Sequence, residues 1–243
     1  MRSAEHLPNL RPGGEPPRPS WLPRQRRGTS PQMVGRFPDY DVLESAGDWD
    51  AATRAAVMAR VGFDRGYVLS FFSSHQEPTL RAFCDLLLAQ DVEPRIPVVE
   101  LLDEKLAAGR LDGYQYADMP DDRQTWSVVL AGLDEIAFAW HGHSSFAGCT
   151  TQDAKGIVTA FSEARLDGPS WQRVDVSHAW EVCTRMALEA FYSHPWAWNE
   201  IGFGGPAYPQ GYMRLGPLST REPHERSGAT DEDAVRVASE LSE

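Results

Sequence analysis

Apolar residues recur at helical spacing through most of the chain, and no segment of useful length alternates between apolar and polar residues. Apolar side chains three or four residues apart share one face of a helix, whereas alternation is the pattern of a half-buried strand. We therefore expect an all-α protein, an irregular helical bundle in which short loops join antiparallel neighbours. The predicted helices cover residues 48–60, 79–89, 98–108, 121–140, 151–165 and 176–192, with a final polar helix over 231–241.

Residues typical of helix ends set the predicted bounds. Asp48 is the expected N-cap of the first helix, and Asp121 or Asp122 opens the fourth. Gly109 is a C-cap candidate for the third helix. The stripes expected to face the core are Leu80, Phe83, Cys84, Leu87 and Leu88; Val98, Leu101, Leu102 and Leu106; Trp126, Val129, Leu130, Leu133, Ile136 and Ala137; and Trp180, Cys183, Met186, Ala187, Ala190 and Phe191.

The two ends of the chain differ from the helical middle in composition. Residues 1–40 are rich in Pro, Gly and Arg and contain too little apolar surface to offset chain entropy. They predict a long, disordered or extended N-terminal arm, or else a basic arm that becomes ordered on an acidic partner. The domain organisation is then the arm over 1–40, a helical domain over 41–225, and a polar C-terminal helix or tail over 226–243.

Charge and cysteine content exclude several classes of function. The formal net charge of -12 argues against nucleic-acid binding and against binding to an anionic membrane surface. No apolar run approaches the roughly 18 residues that a membrane span needs. The pair Arg26-Arg27 is followed by no apolar region, so we expect a cytoplasmic protein. Three widely spaced cysteines predict neither a disulfide framework nor a cysteine metal site, and Cys84 and Cys183 are expected to be buried.

The segment from His194 to Tyr212 has neither a helical nor a strand period, and it is dense in aromatic residues, glycine and proline. Its prolines remove backbone donors and fix φ, while its glycines permit conformations closed to other residues. The segment therefore predicts an ordered loop of specific shape. Such a loop is typical of a functional site or an interface.

Candidate chemistry in the sequence is sparse. His194 and Glu200 are close enough in sequence to form an acid–base pair, but His194 fits a capping role equally well. His141-Gly142-His143 is interpreted as a helix end with surface histidines, and His178 as a partly exposed helix residue. Asp118, Asp121 and Asp122 are interpreted as helix-initiating residues. We therefore predict no catalytic, cofactor-binding or metal-binding residues in this chain.

A family resemblance is carried by Phe191-Tyr192-Ser193-His194-Pro195, by the run Glu200 to Pro206, and by Tyr208-Pro209-Gln210-Gly211-Tyr212. These motifs resemble the C-terminal signature of the gluconate 2-dehydrogenase subunit 3 family. Supporting matches are Phe71-Phe72 leading into 80–88, and 96–99 leading into 101–106. The resemblance covers roughly residues 68 to 225.

The resemblance implies a non-catalytic small subunit that assembles with a large flavoprotein of the glucose-methanol-choline type and stabilises it. The large subunit would carry FAD and oxidise a sugar or another alcohol. Aromatic side chains in a rigid loop are good interface anchors, and Trp198 and Phe203 are the pair most expected to face inward. Two alternatives stay open: a stand-alone enzyme using His194 and Glu200, and an unrelated helical interaction module. The candidate partner contacts are His194, Trp196, Trp198, Glu200, Phe203, Tyr208 and Tyr212.

Overall fold

A computed structural model describes residues 41–47, 49–63, 66–90, 95–111 and 114–206. Every regular element in these ranges is helical, which confirms the all-α prediction. Within these ranges, three short 3-10 helices lie at Val42–Gly47, Phe146–Gly148 and Trp171–Arg173. The α-helices are α1 (Ala51–Val61), α2 (Gln76–Leu87), α3 (Val98–Ala107), α4 (Asp122–His141), α5 (Thr151–Ser162), α6 (Val176–Tyr192) and α7 (Pro195–Ile201).

The described residues form two compact units. We call the first the Trp126 unit; it runs from Phe63 to Phe191 and contains α2 to α5 and nearly all of α6. The second, the Trp198 unit, combines residues up to Gly62 with residues from Tyr192 onward. It contains the first 3-10 helix, α1 and α7. The candidate partner contacts that the structure describes, His194, Trp196, Trp198, Glu200 and Phe203, belong to the Trp198 unit.

Aromatic rings in mutual contact form the core of the Trp126 unit. Trp126 is fully buried on α4 and makes edge contacts with Phe72 and Phe83, at ring-centroid distances of 6.2 and 6.3 Å. Phe83 lies 6.2 Å from Phe161 of α5, which in turn lies 4.9 Å from Trp171. Edge and tilted contacts of this kind add to the stabilisation from buried area. The predicted inward stripe of α4 is buried at all six positions, and that prediction is confirmed.

Side-chain carboxylates hold the irregular segments of the Trp126 unit in place. Asp103, buried on α3, accepts hydrogen bonds from the backbone N–H groups of Ser70, Phe71 and Phe72 and from the Tyr67 hydroxyl. Burial raises the pKa of Asp103, but the hydrogen bonds from these donors together lower it by more. The pKa of Asp103 therefore lies below its usual value. The backbone N–H groups of residues 70–72 are therefore satisfied without a helix or a strand.

The Trp198 unit packs its short elements around a second apolar cluster. The buried side chains of Val42, Trp49, Val57 and Trp198 form this cluster. Asp50 begins α1 by accepting a 2.8 Å hydrogen bond from the Thr53 N–H. The predicted cap, Asp48, was wrong by two residues, because Asp50 is the residue whose extended backbone places its carboxylate over the first turn.

Other helix bounds differ from the prediction for local reasons. The second helix begins at Gln76 rather than Thr79, because Ser73 and Gln76 exchange side chain–backbone hydrogen bonds as in a capping box. Pro78 is tolerated within that first turn. The fifth helix ends at Ser162 rather than Arg165, because Ala164 takes a left-handed φ of 52° that a right-handed helix cannot contain. The predicted N-terminal arm and the polar helix over 231–241 lie outside the described residues.

Two further findings bear on the sequence-based expectations. Cys84 and Cys183 are fully buried, as predicted, and burial raises the pKa of both thiols. Within the described ranges, each helix is too short or too polar to cross a lipid bilayer.

Candidate functional site

The start of the aromatic segment is a helix rather than the predicted loop. Pro195 occupies the first turn of α7, where its missing N–H costs no hydrogen bond. The His194 side chain caps the helix by accepting a 3.2 Å hydrogen bond at Nδ1 from the Trp196 N–H. Gly202 ends it with a left-handed φ of 68°. Seven residues with a cap at each end thus form a helix too short to show a period in the sequence. Residues 203–206, the last that the structure describes, continue without regular structure.

His194 is fully buried, and its environment favours a structural role. Its ring meets Trp196 edge-on at a centroid distance of 4.7 Å. Burial lowers the pKa of His194 to about 3, because the charged imidazolium is poorly solvated there. With Nδ1 accepting a hydrogen bond, the neutral ring carries its proton on Nε2. A base this weak is poorly matched to proton transfer at neutral pH.

Trp198 and Phe203 lie against each other but differ in exposure. Trp198 is 7% exposed, belongs to the apolar cluster of the Trp198 unit, and donates a 2.6 Å hydrogen bond from Nε1 to the Tyr192 carbonyl. Phe203 packs edge-on against it at 5.7 Å but remains 36% exposed. The prediction that both face inward is confirmed for Trp198 and wrong for Phe203, because the chain leaves the helix at Gly202.

The structure adds one residue that the sequence did not single out. Asn199 is fully buried and its Oδ1 accepts a 2.7 Å hydrogen bond from the Val42 N–H. Gly205 completes the same region with a φ of 83°, and a Cβ there would lie 3.0 Å from Val42 Cγ2. A polar residue amid aromatic neighbours was the available signal, but its partner lies 157 positions away in the chain.

The seven predicted partner contacts divide into three groups. His194, Trp196, Trp198 and Glu200 are buried, and Phe203 is partly exposed. Tyr208 and Tyr212 lie outside the described residues. The role of all seven in binding a partner stays a prediction. Two of the buried residues also have a role within the fold, His194 as the cap of α7 and Trp198 in the apolar cluster.

Exposed aromatic residues occur at the end of α4, in the Trp126 unit. Phe138 and Trp140 are 69% and 47% exposed in the last turn of that helix. His141 is the last residue of α4, and Gly142 ends the helix in a left-handed conformation, as expected for a helix end with surface histidines. His141 Nδ1 and His143 Nε2 lie 3.4 and 3.2 Å from the two oxygens of Asp153.

Comparison with known proteins identifies the family of the chain. The model of the family described as gluconate 2-dehydrogenase subunit 3 matches residues 74–205. Searches of the curated proteins and of the solved structures found no match. The matched range contains α2 through α7, including the complete His194–Gly202 helix with its caps. Because the match spans more than half of the 243 residues, the chain belongs to the gluconate 2-dehydrogenase subunit 3 family.

Proposed function

We propose that this chain is a non-catalytic small subunit that assembles with a large FAD-dependent dehydrogenase and stabilises it. The large subunit would be of the glucose-methanol-choline type and would oxidise a sugar or another alcohol. The observation that carries the proposal is the family match over residues 74–205, since the family is described as a subunit of a gluconate dehydrogenase. FAD belongs, in this proposal, to the large subunit alone.

The environment of His194 supports a non-catalytic role and disfavours the alternative of a stand-alone enzyme. His194 Nδ1 is engaged by the Trp196 N–H, and its ring is shielded from solvent. A general base must reach a substrate proton within hydrogen-bonding distance, with a pKa near the working pH. His194 meets neither condition in this structure, whereas it meets the requirements of a helix cap.

The end of α4 is our proposed contact surface for the large subunit. Phe138 and Trp140 expose apolar rings on a helix whose preceding turns are well buried. Large aromatic side chains bury much area for little loss of rotamer entropy, so they dominate the energy of many interfaces. The sequence-predicted contacts Phe203, Tyr208 and Tyr212 remain candidates for a second contact.

Affinity purification from the native host tests the assembly. The tagged chain should recover a yellow, FAD-containing polypeptide, and the pair should reduce an artificial electron acceptor with gluconate, a sugar or an alcohol as substrate. The large subunit expressed alone should be less soluble or hold less FAD than the co-expressed pair. A chain recovered as a monomer, together with a large subunit that is fully active alone, would contradict the proposal.

A double variant tests the contact surface separately. Phe138→Ala with Trp140→Ala should weaken binding of the large subunit without altering the fold of the small chain. Leu188→Ala is the matched control, because Leu188 is an apolar helix residue that is 43% exposed elsewhere in the Trp126 unit. If the double variant binds as wild type while assembly itself is observed, the contact lies elsewhere and the subunit role stands.

A further inference from the structure

Three potential metal ligands converge beside the start of α6, within the Trp126 unit. Asp118 comes from the loop before α4, Asp175 directly precedes α6, and His178 lies in its first turn. One ligand atom from each lies within 4.8 Å of the others. His178 Nδ1 is 3.2 Å from Asp118 Oδ1 and 3.8 Å from Asp175 Oδ1. Such separations suit donor atoms around one ion, since each metal–ligand bond is about 2.0–2.2 Å long.

The imidazole of His178 is held in this orientation by a contact outside the cluster. The Tyr116 ring stacks on it at a centroid distance of 3.9 Å, with the two planes 4° apart. The Tyr116 hydroxyl is itself anchored by a hydrogen bond to Glu181, one turn further along α6. Outer contacts that fix the ring orientation of a ligating histidine are a regular feature of metal sites.

Hydrogen bonds within the cluster engage only one oxygen of the Asp175 carboxylate. A single Nδ1–H serves Asp118 at 3.2 Å, while Asp175 at 3.8 Å is beyond hydrogen-bonding distance from that atom. Asp175 Oδ1 accepts from the His178 backbone N–H at 2.9 Å, which leaves its second oxygen for another partner. Two carboxylates from separate segments are thus brought beside one imidazole nitrogen.

We propose that Asp118, Asp175 and His178 bind a divalent transition-metal ion of the Zn²⁺ type. Imidazole and carboxylate together suit Zn²⁺, and water would complete the coordination at this partly exposed site. The ion would bind Nδ1 in place of its proton and would neutralise the two acidic groups. It would also tie the loop that carries Tyr116 and Asp118 to α6. This site is independent of the proposed subunit role.

Calorimetric titration of the tag-free full chain with ZnCl₂ at neutral pH tests the site. Wild type should bind one equivalent with micromolar affinity, and Asp118→Asn and His178→Ala should each weaken binding about tenfold or more. Asp167→Asn and His75→Ala are matched controls that remove an exposed carboxylate or imidazole elsewhere in the Trp126 unit, and both should bind as wild type. Co²⁺ should give the absorption of nitrogen and oxygen ligands without a thiolate charge-transfer band.

Two results would overturn the proposal. One is wild-type protein that binds no Zn²⁺ under these conditions. The other is Asp118→Asn protein that binds Zn²⁺ as wild type does, since this conservative change at an exposed side chain keeps its shape. A thiolate band with Co²⁺ would place the ion at a cysteine, and it would count as the same failure. Far-UV circular dichroism of His178→Ala checks that its loss of binding is not a loss of fold.

Discussion

The Val42 N–H donates a 2.7 Å hydrogen bond to Asn199 Oδ1, which joins the first 3-10 helix to α7 inside the Trp198 unit. Both residues are fully buried, so water cannot replace either partner. When a buried donor has no acceptor, the folded state is destabilised by the full cost of removing that donor from water. The Asn199 side chain therefore helps to fix where the segment Val42–Gly47 lies against α7.

Asn199→Ala should destabilise the protein by about 1–3 kcal/mol, because it leaves the Val42 N–H buried and unsatisfied. Urea unfolding followed by tryptophan fluorescence measures the change. Gln124→Ala is the control, since it truncates an amide on the exposed face of α4 and should shift stability by less than about 0.5 kcal/mol. Equal stabilities for the two variants would show that the bond contributes little.

Gly132→Ala should also destabilise the fold, by about 1–3 kcal/mol, through overpacking. A Cβ at position 132 would lie 2.6 Å from Trp171 Cε2, and Trp171 Nε1 donates to the Gly132 carbonyl at 3.2 Å. Gly156→Ala is the matched change in α5, where a Cβ meets nothing within 4 Å. It should stabilise the helix by about 0.5–1 kcal/mol. Thermal melts of the pair should therefore move in opposite directions, and a shared direction would contradict the packing argument.

Asp103→Asn should lower stability at neutral pH by about 1.5–3 kcal/mol, because an uncharged amide replaces a carboxylate that accepts several hydrogen bonds. The pKa of Asp103 is lowered in the folded state, so its stabilising effect is complete above the unfolded pKa of about 3.9. It is lost as pH falls through the folded pKa. The difference in stability between wild type and variant should therefore shrink in acid. A difference that does not depend on pH would contradict the lowered pKa of Asp103. Asp167→Asn, at an exposed turn, is the control.

His194→Asn should change how stability depends on pH. The folded pKa of His194 is about 3, against about 6.5 when unfolded, so wild type takes up a proton on unfolding between those values. The stabilisation that comes from keeping His194 neutral is complete above about pH 6.5. It is lost as the pH falls toward 3, at up to about 1.4 kcal/mol per pH unit. Asparagine keeps an N-cap acceptor for the Trp196 N–H but does not titrate.

The measurement is urea unfolding of wild type and His194→Asn at several pH values between 4 and 7. Wild type should lose its advantage over the variant as pH falls. His75→Asn, at an exposed histidine, should leave the pH dependence unchanged. A parallel loss in wild type and His194→Asn would mean that His194 titrates normally in the folded protein.

The helical pattern predicted most of the helices of the Trp126 unit, because the spacing of apolar residues in a long amphipathic helix indicates which face is buried. The residues of α6 were predicted at Val176–Tyr192 and are found there. The same logic missed α7, since seven residues give too few turns to show a period. Pro195 and Gly202 were interpreted as breakers of regular structure, whereas they mark the first turn and the end of a helix.

The sequence by itself determined the all-α class, the main helix faces and, through its C-terminal motif, the family. These properties depend on local spacing and on residues that are close together in the chain. Only the tertiary structure decided that Asn199 binds Val42, that Asp103 organises residues 67–72, and that Asp118 meets His178. Each of these contacts joins residues that are 31 or more positions apart, and no local pattern encodes which distant donor a buried acceptor will find.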